Sequence, residues 1–224
     1  MINWKKIPLE GKDGLIEVLK QIPDPRERRG IRHPAVVILS IAVCATLSGA
    51  RTFKDISAWG KQLKKRQLQR MGGWRDTPPS LSTIQLVLSM FDPEIFDTIV
   101  YNWLIRNNII KKTAIALDGK TLKGSRDGAS APIHLLSAVL HQEGIVIGQK
   151  NVGEKTNEIP VARDLLKPMT IEGSVVTADA MHTQRETAKQ IFEKNKADYV
   201  LTVKDNQPTL KFEIEHVGND AFSP

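Results

Sequence analysis

Two short β-prone apolar runs, each closing on an aspartate, constrain this chain more than anything else in it. Ala114-Ile115-Ala116-Leu117 delivers Asp118 and then meets Gly119, and Ser174-Val175-Val176-Thr177-Ala178 delivers Asp179. Two strands that each end on an Asp can place two carboxylates side by side at one edge of a sheet. Such a pair suits Mg²⁺ or Mn²⁺, hard cations that take oxygen ligands and keep positions open for phosphate. Two such metals stabilise the attacking and leaving oxygens of a phosphodiester displacement. Each aspartate also has a plain structural reading. Asp118-Gly119 between apolar runs is a tight-turn signal, and Asp179 can cap a helix that starts near Thr183.

The surrounding periodicity decides what sheet would carry the pair. Beyond about residue 111 the pattern predicts strands over Ala114–Leu117, His134–Leu140, Ile145–Val152, Val175–Ala178 and Tyr199–Val203. Helices are expected over Glu158–Leu166 and Gln184–Asn195, the latter with Ile191 and Phe192 inward, and a short one from Pro208. The order β-β-β-α-β-α-β-(α) gives a mixed sheet flanked by helices, an α/β class. Lys123 to Ser130 reads as a loop of small and polar residues.

Before that point the period is helical. A short helix is expected over Leu15–Gln21 and an apolar one over Ala35–Ser48, ended by Gly49-Ala50. Thr52 can cap a helix with Phe53, Ile56, Trp59 and Leu63 at helical spacing, and Lys61, Lys64, Lys65, Arg66 and Arg70 on its remaining surface. Ser80 caps Leu81–Met90, and Asp92-Pro93-Glu94 opens a helix to about Asn107 with Ile95, Ile99, Trp103 and Leu104 buried. The chain therefore divides into an all-α domain over residues 1–112 and a mixed α/β domain over 113–224.

Charge follows the same division. Residues 1–112 hold 19 Lys+Arg against 10 Asp+Glu, a balance of +9, and residues 113–224 hold 13 against 15, a balance of −2. A basic front suits a polyanion and an acidic back suits metal chemistry. Arg26, Arg28, Arg29 and Arg32 crowd a loop introduced by Pro23 and Pro25, where guanidinium groups can reach phosphates. A solvated loop beside the next helix is the alternative. The single cysteine, Cys44, excludes a disulfide scaffold and fits a reducing cytoplasm. No basic segment followed by an apolar one opens the chain, so no signal peptide is expected. The apolar run Pro34–Gly49 is short for a membrane span, which predicts no membrane role.

The β-β-β-α-β-α-β order with an Asp on the first and fourth strands is the arrangement of the ribonuclease-H-like fold. More specifically, Ile115-Ala116-Leu117-Asp118-Gly119-Lys120, His134 to Val139, Glu154 to Pro160, Val176 to Gln184 and Lys204-Asp205-Asn206-Gln207-Pro208 resemble the H-repeat-associated insertion-sequence transposases. Ile22 to Arg26 and Gly30 to Pro34 resemble the helical domain that precedes the catalytic domain there. The resemblance implies a DDE transposase, which cuts and rejoins double-stranded DNA at element ends with two Mg²⁺ or Mn²⁺ ions. It makes Asp118 and Asp179 the first two catalytic acids and metal ligands. The family's third acid is a Glu on a helix well past the fifth strand, and no position up to Pro224 matches it; Glu213 and Glu215 have no motif to place them. A C-terminally truncated copy with impaired catalysis is thus expected, with a non-catalytic DNA-binding remnant or regulator at element ends as the alternative. The missing cover would leave apolar surface and favour modest stability or a homo-oligomer.

Four further residues carry a functional and a bland reading. Glu158 can supply an extra carboxylate or merely favour a helix dipole. His182 can orient water or phosphate, or pack. Lys120 and Lys204, each just past an expected strand, can contact phosphate or stand solvated. His134 in an apolar strand reads as a satisfied structural histidine.

Overall fold

The computed structural model describes residues 11, 14–107, 110, 112–125, 131–153 and 156–221, with side chains to residue 217. Residues 126–130 of the small-residue loop and Glu154-Lys155 of the matched motif lie outside the described residues. Contacts group the described residues up to 107 into one compact unit and those from 110 onward into another.

The first unit contains helices α1 (Leu15–Leu19), α2 (Ala35–Leu47), α3 (Phe53–Gly60), α4 (Lys65–Arg70), α5 (Leu81–Met90) and α6 (Pro93–Arg106). Helix α2 is apolar on every side, and such a helix is stable only when surrounded. Val37, Ile38, Ile41 and Ala45 accordingly form the centre of a core with Ile56, Leu68, Ile84 and Val87. Its carboxyl end stops where Gly49 takes a left-handed φ of +97°. Its amino end is capped from a distance: the Asp24 carboxylate accepts from the Ala35 backbone N–H at 3.1 Å. Thr52 and Asp55 form a reciprocal capping box on α3. The basic run expected to continue α3 turns instead and starts α4, because the chain breaks at Lys61–Lys64. Ile95 is 39% exposed and leaves the expected α6 stripe, whereas Trp103 and Leu104 are buried and Tyr101 joins them.

The second unit is a five-stranded mixed sheet in the order β3-β2-β1-β4-β5. Its strands are β1 (Ala114–Thr121), β2 (His134–Leu140), β3 (Val146–Asn151), β4 (Val175–Ala178) and β5 (Asp198–Leu201). The first three form an antiparallel meander, and β4 and β5 add parallel to β1. Parallel addition needs a crossover, which α7 (Glu158–Leu166) supplies before β4. The segment between β4 and β5 holds α8 (Arg185–Lys189) and a wider π turn over Gln190–Lys194. Ile115, Leu117, Leu136, Ala138 and Leu140 are buried, as are Leu165, Leu166 and Ile191 of the helical layer. Phe192 is 61% exposed, contrary to the expectation that it points inward beside Ile191. Consecutive helical residues point about 100° apart, so only one of the two can face the sheet. Helix α9 (Pro208–Ala221) runs 14 residues, longer than the pattern predicts. Among the described residues no helix is long and apolar enough to cross a membrane.

Candidate active site

Strand register sets the geometry of the aspartate pair. In the parallel pairing of β1 with β4, Leu117 stands opposite Ala178. Asp118 and Asp179 are therefore at equivalent positions one residue further along neighbouring strands. Asp179 keeps an extended backbone (φ −70°, ψ 166°), so it presents its side chain to the same face as Asp118. Both residues are exposed.

The turn expected at Gly119 is absent. β1 continues through Thr121, with Gly119, Lys120 and Thr121 still paired to Leu136, Leu135 and His134. Asp118 thus lies inside a strand that outlasts its neighbour β4. Glycine leaves room there for Glu158, since a Cβ would come within 2.5 to 2.7 Å of its carboxylate and displace it. The conformational freedom of glycine is unused; its smallness is what matters.

Glu158, in the first turn of α7, is fully engaged. One carboxylate oxygen lies 2.6 Å from His134 Nε2 and the other 3.3 Å from His182 Nε2. An ionised carboxylate only accepts, so each imidazole donates from Nε2. His134 Nδ1 is then left to accept from the Thr121 hydroxyl at 2.9 Å. His182 is 2% exposed and its Nδ1 has no partner among the described residues. This clamp ties together β1, β2, α7 and the 3₁₀ turn Ala180–His182 that follows Asp179. Alternation puts Asp118 on the face of β1 opposite to Gly119, so the structure does not bring the Glu158 carboxylate onto the face of Asp118. Local pattern could not reveal Thr121 as a member, because β1 is expected to end before it.

Asp179 caps that 3₁₀ turn, accepting from the Ala180 N–H at 2.6 Å; the helix expected near Thr183 under its cap starts at Arg185 instead, with Gln184 at its N-cap. Lys204 Nζ approaches the same oxygen at 3.3 Å. The Ala180 N–H, with the Lys204 ammonium second, holds the Asp179 carboxyl below its ordinary range. Lys204 therefore spends its charge on Asp179, while Lys120 is exposed on the face of Asp118. Arg28, Arg29 and Arg32 are exposed in the first unit. Arg26 is not available in the same way: it donates to Asp24 at 2.9 and 2.7 Å and to the His33 carbonyl at 2.7 Å.

The donor set partly fits a hard divalent cation. Two exposed carboxylates on one face supply oxygen ligands, but no group of three His, Cys, Asp or Glu side chains is arranged for metal among the described residues.

A mixed five-stranded sheet flanked by helices, with two exposed aspartates at equivalent positions on adjacent strands, defines a mixed α/β domain. The family comparisons narrow that class. Residues 110–220 match the Transposase DDE domain, and residues 16–104 match the DDE_Tnp_1-associated domain. The chain is 33% identical over 221 residues to "Putative transposase YncI" of Escherichia coli K12, covering 93% of this chain and 88% of that protein. It is 32% identical over 214 residues to "H repeat-associated putative transposase YbfD" of the same strain, covering 92% and 84%. The chain belongs to the DDE transposase family of the H repeat-associated type. It spans 56% of the length of the YncI relative in E. coli O157:H7, at 34% identity. Among solved structures, the cryo-EM piggyBac transposase synaptic complex with hairpin DNA aligns at 14% identity and TM-score 0.39, over 85% of this chain and 46% of that one, and this loose likeness carries no statement about the site.

Proposed function

We propose that this chain acts in DNA transposition, by metal-dependent cleavage and strand transfer at the ends of an insertion sequence. The observation that carries the reading is the β1–β4 register, which sets Asp118 and Asp179 side by side on one face. The strand order β3-β2-β1-β4-β5 supports a ribonuclease-H-like catalytic domain over residues 113–224. The helices of residues 1–112 and their +9 charge support a DNA-gripping domain in front of it. Asp118 and Asp179 would hold Mg²⁺ or Mn²⁺, which when bound neutralises charge on the attacking and leaving oxygens. The Ala180 N–H and then Lys204 hold the Asp179 carboxyl below its ordinary range, and Lys204 would have to yield that oxygen for Asp179 to hold a cation. Lys120 stands on the face of Asp118 to meet the phosphate backbone. The His134–Glu158–His182 clamp fixes the turn that presents Asp179.

A second reading, DNA occupancy of element ends without cleavage, is favoured by the state of Glu158, whose two oxygens are both taken by imidazoles. Mn²⁺ titration followed by electron paramagnetic resonance, beside nicking of supercoiled DNA, separates the two. Weak Mn²⁺ binding that disappears in Asp118→Asn and Asp179→Asn is expected. Binding untouched by either substitution sinks the aspartate pair as a metal site. Metal-dependent nicking lost in both variants eliminates the occupancy-only reading; its absence alongside Mn²⁺ binding supports that reading.

A further inference from the structure

The helical unit contains a cleft of about 480 Å³ between the 26–33 loop and residues 75–87. Arg32, His33, Arg75, Ser82 and Thr83 line it, and no acidic side chain does. Arg26 also reaches it, but its guanidinium is spent on Asp24 and the His33 carbonyl, so it builds the wall. Arg32 and Arg75 make no ion pair or hydrogen bond among the described residues. Asp76, the acid next in sequence to Arg75, is held elsewhere by Lys65 at 2.8 Å. Arg32 and Arg75, far apart in sequence, line one cleft together with the small hydroxyl side chains Ser82 and Thr83.

The geometry points to a seat for one backbone phosphate of duplex DNA, with Arg32 and Arg75 as its charged contacts. A guanidinium fork matches phosphate oxygens in pairs and keeps its charge at all working pH values. Convergence of the charges is visible at His33, whose imidazole is held below its ordinary range by burial and then by Arg75, Arg26 and Arg32. An anion in the cleft relieves that mutual repulsion. Phosphate contacts fix position without reading sequence, so the cleft orients DNA and leaves recognition of the element ends to other residues. The inference rests on the transposase reading only for the identity of the polyanion.

Fluorescence anisotropy of a labelled duplex, titrated with the full chain at several salt concentrations, tests it. Arg32→Gln and Arg75→Gln are each expected to weaken binding to unrelated sequences alike. Each should also reduce the slope of log K against log salt by about 0.9, the value for one phosphate contact. Both side chains are exposed, and unchanged circular dichroism and urea midpoints will show that the fold survives. An Arg75→Gln variant with wild-type affinity and slope overturns the proposal. So does binding of inorganic phosphate that the variants lose while DNA affinity stays intact, since the cleft then serves a free anion. Mn²⁺ binding lost in Asp118→Asn reads the metal site, and the salt slope of Arg32→Gln and Arg75→Gln reads the cleft. Failure of the cleft and failure of the catalytic reading thus show up in different measurements.

Discussion

At Gly119 a single hydrogen in place of a side chain lets an α7 carboxylate reach the backbone of β1. Gly119→Ala forces the Glu158 carboxylate off His134 and His182, since the new Cβ would lie 2.5 Å from one of its oxygens. Overpacking of this kind costs about 1–3 kcal/mol, and urea denaturation should register it. Adding Glu158→Ala to that variant removes the clash, so the double variant should lose less than the sum of the two single losses. Strict additivity would show that the contact is slack. Asp24 makes a second prediction at this scale. Hydrogen bonding to the Arg26 side chain, ahead of the other contributions, holds its carboxyl below the ordinary value. A depressed folded pKa means the unfolded chain takes up the proton more readily. The Asp24 contribution is therefore complete above the ordinary carboxylate value of about 3.9 and fades as pH falls through the lower folded value. Asp24→Asn should be less stable than wild type at pH 7 by about 1.5–3 kcal/mol, the range for a charged hydrogen bond. That gap should shrink in urea melts below about pH 4, and a gap that is constant from pH 7 to pH 3 refutes the linkage.

Elements were legible where one local rule decides them. Ser80, Thr52 and Asp92-Pro93 announce the starts of α5, α3 and α6, because capping acts within a single turn. His134–Leu140 and Glu158–Leu166 match their expected bounds, each having one unambiguous period. The misreadings have non-local causes. Gly119 signals a turn by its neighbours, but its pairing with Leu136 keeps it in β1, and only Glu158, far along the chain, explains why that strand position carries no side chain. Arg26 joins an apparent arginine cluster, yet Asp24 and the His33 carbonyl remove it from the surface. Arg75 has no basic neighbour to flag it, and folding alone puts it in the same cleft as Arg32. Phe192 and Ile191 differ by one position and by 61% against 0% exposure. Ile191→Ala should accordingly cost about 2–5 kcal/mol, as buried large-to-small changes do. Phe192→Ala should stay within about 0.5 kcal/mol. Thermal or urea unfolding of the pair checks this; comparable losses would mean that the π turn rotates Phe192 inward in solution.

For the whole molecule, the change of period and of charge near residue 112 coincides closely with the boundary between the two compact units. A sheet edge that carries two carboxylates on neighbouring strands, about 4.8 Å apart in strand spacing, pays in self-repulsion for its readiness to take a cation. Lys204 offsets this at Asp179 through one exposed pair, while Asp118 has no such cationic partner among the described residues and stays exposed. The metal-free protein should therefore become slightly more stable, not less, when Asp118→Asn removes one of the two charges. Added Mn²⁺ should reverse the ranking. A ligand that binds the folded chain alone stabilises it by RT ln(1 + [L]/Kd), about 1.4 kcal/mol at ten times Kd. Wild type gains this and Asp118→Asn does not. Thermal melts with and without Mn²⁺ on both proteins supply the four values required. An Asp118→Asn variant that is destabilised without metal, or that gains as much from Mn²⁺ as wild type, would show that Asp118 holds the fold and not the cation.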